Sequence, residues 1–260
     1  MASPFAELTD FMSPAVMQTY IILMILAVAA GTVFDMWHKR SYEFFMLRRK
    51  SAEARASRRL GGGERLWLML KTLGNEVLTS GEFCNVRRRL SHLLMFYGFI
   101  FYVLSTLVMV FGYPTPATPT PGIWLFLWNL GAVMILAGGG WFFFFLRVNV
   151  AYEGDPPYQV IPADLFVGSL MLSALFALIW ELVQLGGNPL ATQIFFGIYI
   201  FFTTVLFVTV PWSKFAHMFY KPTAAYQRRI EEATDTDHLP REAHGRKQVP
   251  SPTRTYSLRR

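Results

Sequence analysis

Five histidines and one cysteine are the side chains in this 260-residue sequence that bind metals most readily. Cys84 can make no intrachain disulfide, and alone it falls short of the roughly four ligands that an iron-sulfur cluster or structural zinc requires. Any metal cofactor therefore depends on histidine. His92 follows the basic run Arg87, Arg88, Arg89, and His217 stands three positions after Lys214. Imidazole is the usual axial ligand of low-spin haem iron, and two imidazoles on facing helices can hold a porphyrin edge-on between them. Arg89 and Lys214 are cations suited to haem propionates, and Phe96, Phe99, Phe215 and Phe219 offer an apolar surround. His92 and His217 are thus a candidate pair of haem ligands, set against a structural or snorkelling role for each. His38, flanked by Lys39 and Arg40, reads as an interfacial cap, and His238 and His244 as solvated tail residues.

The elements that must carry this pair are hydrophobic. Some 53% of the residues are apolar and 16% charged, with a mean hydropathy of +0.33, whereas a soluble domain carries about a quarter charged residues. Apolar runs of bilayer length occur at roughly 16–36, 90–112, 122–147, 163–185 and 191–212. Backbone groups in lipid must bond within their own segment, so the sequence predicts an all-α integral membrane protein with five transmembrane helices. No alternating pattern of a membrane barrel is present. Met1 to Met17 contain no Lys or Arg, so the basic flank of a cleavable signal peptide is missing and the first span is expected to be retained.

Basic residues fall on one side only. Thirteen lie between Trp37 and Leu90, one between Arg147 and Ala163, and ten from Trp212 onward, which accounts for all 24. The intervening segments GYPTPATPTPG and QLGGNPLA have none, so the N-terminus is expected outside and the C-terminus in the cytoplasm. On that map the arm 1–15 is periplasmic, the membrane domain runs over 16–222, and 223–260 is a basic cytoplasmic tail too polar to bury a core alone. His38, His92 and His217 then share one membrane depth. The charge of +7 is explained by anionic lipid, and no nucleic acid is expected as a partner. Residues 64–82 space Leu66, Leu70, Leu73 and Val77 at helical steps, predicting an amphipathic helix on the membrane surface or under a partner. Gly138, Gly139 and Gly140 read as close helix packing. A polar midplane site of the transporter kind is not evident.

Two segments carry a family resemblance. RRRLSHLLMFYGF, Arg87 to Phe99, and VPWSKFAHMFYKP, Val210 to Pro222, resemble the second and fifth helices of the nitrate reductase gamma-subunit-like family. That family includes the membrane subunits of quinone-interacting oxidoreductases. The five spans and basic first loop are similar, so the likeness covers roughly residues 16–222, and its most specific part is Pro211 to Met218.

The resemblance implies an electron-transfer subunit linking membrane quinone to cytoplasmic iron-sulfur or flavin oxidoreductase subunits, with His92 and His217 holding the cytoplasmic-side haem b. Two-haem members carry further histidines where this chain has Tyr102 and Tyr199, which implies one haem at most. Quinone would then meet that haem, with His38, Lys39, Lys214 and Trp212 as candidate contacts and Asp35 as a proton group, unless Asp35 is merely solvated. Glu181 reads as a solvent-facing interfacial carboxylate, or as the mark of an outer quinone or proton site. With Cys84 its lone cysteine, no ferredoxin-like domain is expected, and the chain resembles the short bacterial inner-membrane anchors associated with adenylylsulfate reductase in sulfur metabolism. The alternative is a haem-free anchor that holds a soluble reductase at the bilayer.

Overall fold

The computed structural model describes residues 3–38, 41–56, 58, 60–80, 85–146, 164–212, 217–234 and 236; the side chains of 41, 42, 44, 76, 77 and 217–221 lie outside that description. Every regular element among the described residues is helical. In chain order they are a short 3-10 helix Ala6–Asp10, α1 (Pro14–His38), α2 (Ser41–Arg55), α3 (Gly62–Thr72) continued by a π turn Leu73–Leu78, α4 (Val86–Gly112), α5 (Gly122–Trp141) continued by a π turn Phe142–Leu146, α6 (Leu165–Leu185), α7 (Pro189–Thr209) ending in a 3-10 turn Val210–Trp212, and α8 (His217–Ala233). Five of these are long and apolar enough to cross a membrane: α1, α4, α5 with its π turn, α6, and α7 with its 3-10 turn. The chain is a multi-pass membrane protein.

Local chemistry sets the ends of the spans. Asn85 accepts hydrogen bonds from the Arg87 and Arg88 amides (2.9 and 3.5 Å), so α4 starts before its apolar run and takes the three arginines into its first turns. Asn188 caps α7 through the Ala191 amide (3.1 Å), with Pro189 at the first helical position, where its missing N–H costs nothing.

The spans pack in sequence, α4 on α5, α5 on α6, α6 on α7, and α1 closes the ring between α7 and α4. Helices in lipid associate through close backbone approach more than through burial from water, and α4 and α5 illustrate this. A Cβ on Gly131 would stand 2.7 Å from both the Gly98 carbonyl and the Tyr102 amide nitrogen, and one on Gly138 would stand 2.8 Å from the Ser91 carbonyl. The Ser91 hydroxyl also donates to the Gly138 carbonyl (2.8 Å). Gly139 is close against Met171 as well, whereas Gly140 has ordinary room. α1 is peripheral, tied to α4 by Gln18 Nε2 donating to the Val110 carbonyl (3.1 Å) and to α7 by the hydroxyls of Tyr20 and Thr204 (3.0 Å).

Two segments are more structured than their composition suggests. The N-terminal arm folds into the end of the bundle away from the basic loops: Ser3, Phe5, Ala6 and Leu8 are buried, and the Pro4 carbonyl accepts from Gln184 Nε2 (3.1 Å). Part of the polar tail forms α8, with Pro222 inside the helix. It orders against the chain's own α2 and α3: Glu231, buried, takes a two-pronged ion pair from Arg48 (2.9 and 2.6 Å) and a hydrogen bond from Gln227 (3.1 Å).

Candidate functional site

Packing against α5 fixes the rotation of α4. Ser91 is buried on that contact, so His92, one position on, turns to a neighbouring face and meets the segment that follows α3. There the Ser80 hydroxyl lies 3.0 Å from His92 Nδ1. Ser80 is buried and is the one non-glycine residue with positive φ (48°) among the described residues. A left-handed serine is strained; the turn brings its hydroxyl back onto the imidazole. The His92 ring is half-buried and stacked parallel to Phe96 at 6.4 Å. Two further bonds hold the segment to α4, from Arg89 Nε to the Thr79 carbonyl (2.7 Å) and from the Tyr97 hydroxyl to the Leu78 carbonyl (2.8 Å).

A histidine that ligates a metal through one nitrogen ordinarily has the other held by a hydrogen bond, which fixes ring and tautomer. His92 has such a bond on Nδ1, from or to the Ser80 hydroxyl according to the tautomer; the tautomer protonated on Nδ1 is the one that would present Nε2 to a metal. On that test His92 fits a haem ligand. The His217 side chain, Lys214 and Lys39 lie outside the described residues; the backbone of α8 begins at His217. Arg89 spends its Nε on Thr79 rather than turning wholly to a ligand. Among the described residues no group of three or more His, Cys, Asp or Glu is arranged to hold a bare metal ion.

The quinone candidates divide. Asp35 is buried, at 3% exposure, and has interaction partners, so the solvated alternative fails. It lies one turn beyond Gly31, where a Cβ would stand 2.5 Å from Pro211 Cγ; α1 and the end of α7 meet there. Trp212 touches the same junction through its ring edge but is 60% exposed. His38 is exposed and stacks on Phe34 of its own helix (5.8 Å). Asp35 and Trp212 therefore share the α1–α7 junction, while His92 belongs to α4 and the Ser80 segment.

Toward the other end the bundle is filled by rings. Tyr102 stacks on Trp128 (5.6 Å) and Tyr199 on Trp180 (5.6 Å), and Phe5 enters edge-on against both tryptophans (5.7 and 5.2 Å). All five are buried. The buried Tyr102 hydroxyl has no hydrogen-bond partner among the described residues. Glu181 is half-buried and accepts from Asn129 Nδ2 (3.2 Å) between α6 and α5.

Sequence reasoning missed Ser80, Phe5 and Asn129. None bears a motif, and only the fold brings Ser80 beside a histidine twelve positions away. No protein-family model, curated protein or solved structure matches the chain.

Proposed function

We propose that this chain is the membrane electron-transfer subunit of an oxidoreductase complex, linking the quinone pool to cytoplasmic iron-sulfur or flavin subunits of the adenylylsulfate reductase type. In this reading it lies in a bacterial inner membrane with its N-terminus outside, and His92 and His217 hold one b-type haem near the cytoplasmic face. The observation that carries the proposal is the Ser80 hydroxyl on His92 Nδ1 at 3.0 Å, because a hydrogen bond on one ring nitrogen holds an imidazole in the orientation a metal ligand requires. Haem bound there supplies reversible one-electron chemistry. The protein's own contribution is to aim His92 through Ser80, to pack Phe96 against the ring, and to keep the far end of the bundle closed with Tyr102, Tyr199, Trp128 and Trp180.

A haem-to-protein ratio measured by pyridine haemochrome on the purified chain tests the proposal. A ratio near one supports it, and absence of haem from membranes of haem-replete cells overturns it. The second reading, a haem-free anchor, is favoured by the Arg48–Glu231 pair, which joins α2 and α8 into a surface layer independent of any cofactor.

A further inference from the structure

α3 and its π turn are amphipathic in an unusual sense: the apolar side faces away from the protein. Leu66, Trp67, Met69, Leu70, Leu73 and Leu78 are 41–65% exposed. The face that touches the rest of the chain is the other one. Thr72 is buried and Leu68 half-buried, and beside them the Tyr226 hydroxyl of α8 donates to the Arg65 carbonyl (3.3 Å). Leu66, Leu70 and Leu73 recur at steps of four and three, which places them on one stripe of the helix.

The depth of this segment indicates what covers the stripe. Arg87, Arg88 and Arg89 begin α4, and Tyr97 lies eight positions beyond the last of them, about 12 Å along the helix at 1.5 Å per residue. Side chains on a helix lean toward its N-terminus, so the Tyr97 hydroxyl is roughly one turn shallower. It bonds the Leu78 carbonyl, and Ser80 bonds His92, also beyond the arginines. The Thr79 carbonyl, next to that of Leu78, is held by Arg89 Nε (2.7 Å), so the end of the π turn sits at the boundary between the arginine level and the apolar belt, where surface helices bury an apolar face. The same belt is continued by exposed Leu90 on α4 and by exposed Phe144 and Phe145 after α5. Arg65 and Lys71 flank the stripe, and with Arg87 to Arg89 they make its border cationic.

We infer that Gly62–Leu78 is an interfacial helix embedded in the leaflet on the basic side of the protein, its Leu66–Leu70–Leu73 stripe against acyl chains and its flanking cations on anionic headgroups. The occupant of this face is lipid, not a soluble subunit. The inference does not rest on haem or on the identity of a redox partner.

The test uses the full chain in vesicles of phosphatidylcholine and phosphatidylglycerol, with Cys84→Ser as background. Nitroxide labels are placed through Leu66→Cys, Leu70→Cys and Leu73→Cys, and through Glu64→Cys, Lys71→Cys and Asn75→Cys on the other faces. Collision with oxygen, which partitions into lipid, is compared with collision with a water-soluble nickel chelate. The expected result is a high oxygen-to-nickel ratio at 66, 70 and 73 and a severalfold lower ratio at 64, 71 and 75. Equal nickel access at 70 and 71 overturns the inference in favour of a water-exposed docking face. Exclusion of both reagents from 66, 70 and 73 overturns it in favour of a second copy. Should the labelled leucine variants fail to assemble, Trp67→Phe supplies the reading: the emission it removes must be quenched by brominated lipid in the parent, and quenching by aqueous iodide instead overturns the inference.

Discussion

The Ser80 hydroxyl and His92 Nδ1 lie 3.0 Å apart, so a strained residue at the end of a surface segment sets the rotation of an imidazole on a membrane span. Two substitutions separate the strain from the bond. Ser80→Ala loses a buried hydrogen bond worth about 1 kcal/mol and keeps the left-handed backbone. Ser80→Gly loses the same bond but relieves a steric cost of about 1 kcal/mol. Thermal unfolding in detergent is expected to place the Gly variant near wild type and the Ala variant below it. Both are expected to shift the midpoint potential of a haem on His92 in the same direction, because each removes the same hydroxyl.

Gly131 lies in the close contact between α4 and α5. A Cβ there meets backbone atoms at 2.7 Å, which cannot rotate away. Gly131→Ala is expected to cost about 2 kcal/mol by overpacking, whereas Gly140→Ala, whose nearest neighbour is a Met171 methyl at 3.9 Å, stays within about 0.5 kcal/mol of wild type. Detergent melting curves of the two variants measure the difference.

Phe5 closes the ring cluster from outside the spans. Phe5→Ala leaves a cavity between Trp128 and Trp180 and is expected to cost about 3 kcal/mol if the arm stays docked; red-shifted tryptophan emission reports water entering. Glu7 on the same arm adds a pH dependence. Although Glu7 is largely exposed, partial desolvation and then the nearby Asp10 carboxylate raise its pKa, so its neutral form is modestly favoured when the arm is docked. Docking is therefore strongest at acid pH and weakens as pH rises from the ordinary carboxylate value through the raised one. Glu7→Gln is expected to flatten that part of the emission profile.

Glu231 is buried and Arg48 half-exposed, so solvent screens one arm of the pair. Arg48→Ala is accordingly expected to cost about 1 kcal/mol, with Gln227 still serving Glu231. Its specific signature is faster amide hydrogen exchange in α8, with no change in the spans.

The five spans were legible because bilayer thickness imposes a length and an apolar composition that a linear chain displays directly. Gly138 and Gly139 were legible as packing residues for a similar reason, since only a missing side chain allows such approach. The partners of single polar groups were not. Asp35 reads as an interfacial carboxylate until the Gly31–Pro211 contact draws the α1 and α7 ends together around it. The partner of Glu181, Asn129, stands fifty-two positions earlier on the adjoining helix. The helicity of α8 escaped because its burial depends on Arg48 in a distant segment, and composition alone cannot anticipate a tertiary partner.

The most direct measurement of the central claim is the reduced-minus-oxidised difference spectrum of the purified chain and of its His92→Ala variant. The account predicts a b-type α-band in the wild type that His92→Ala abolishes while the variant remains folded and membrane-inserted. An α-band of undiminished intensity in His92→Ala, or no band in a folded wild type from haem-replete cells, would contradict it.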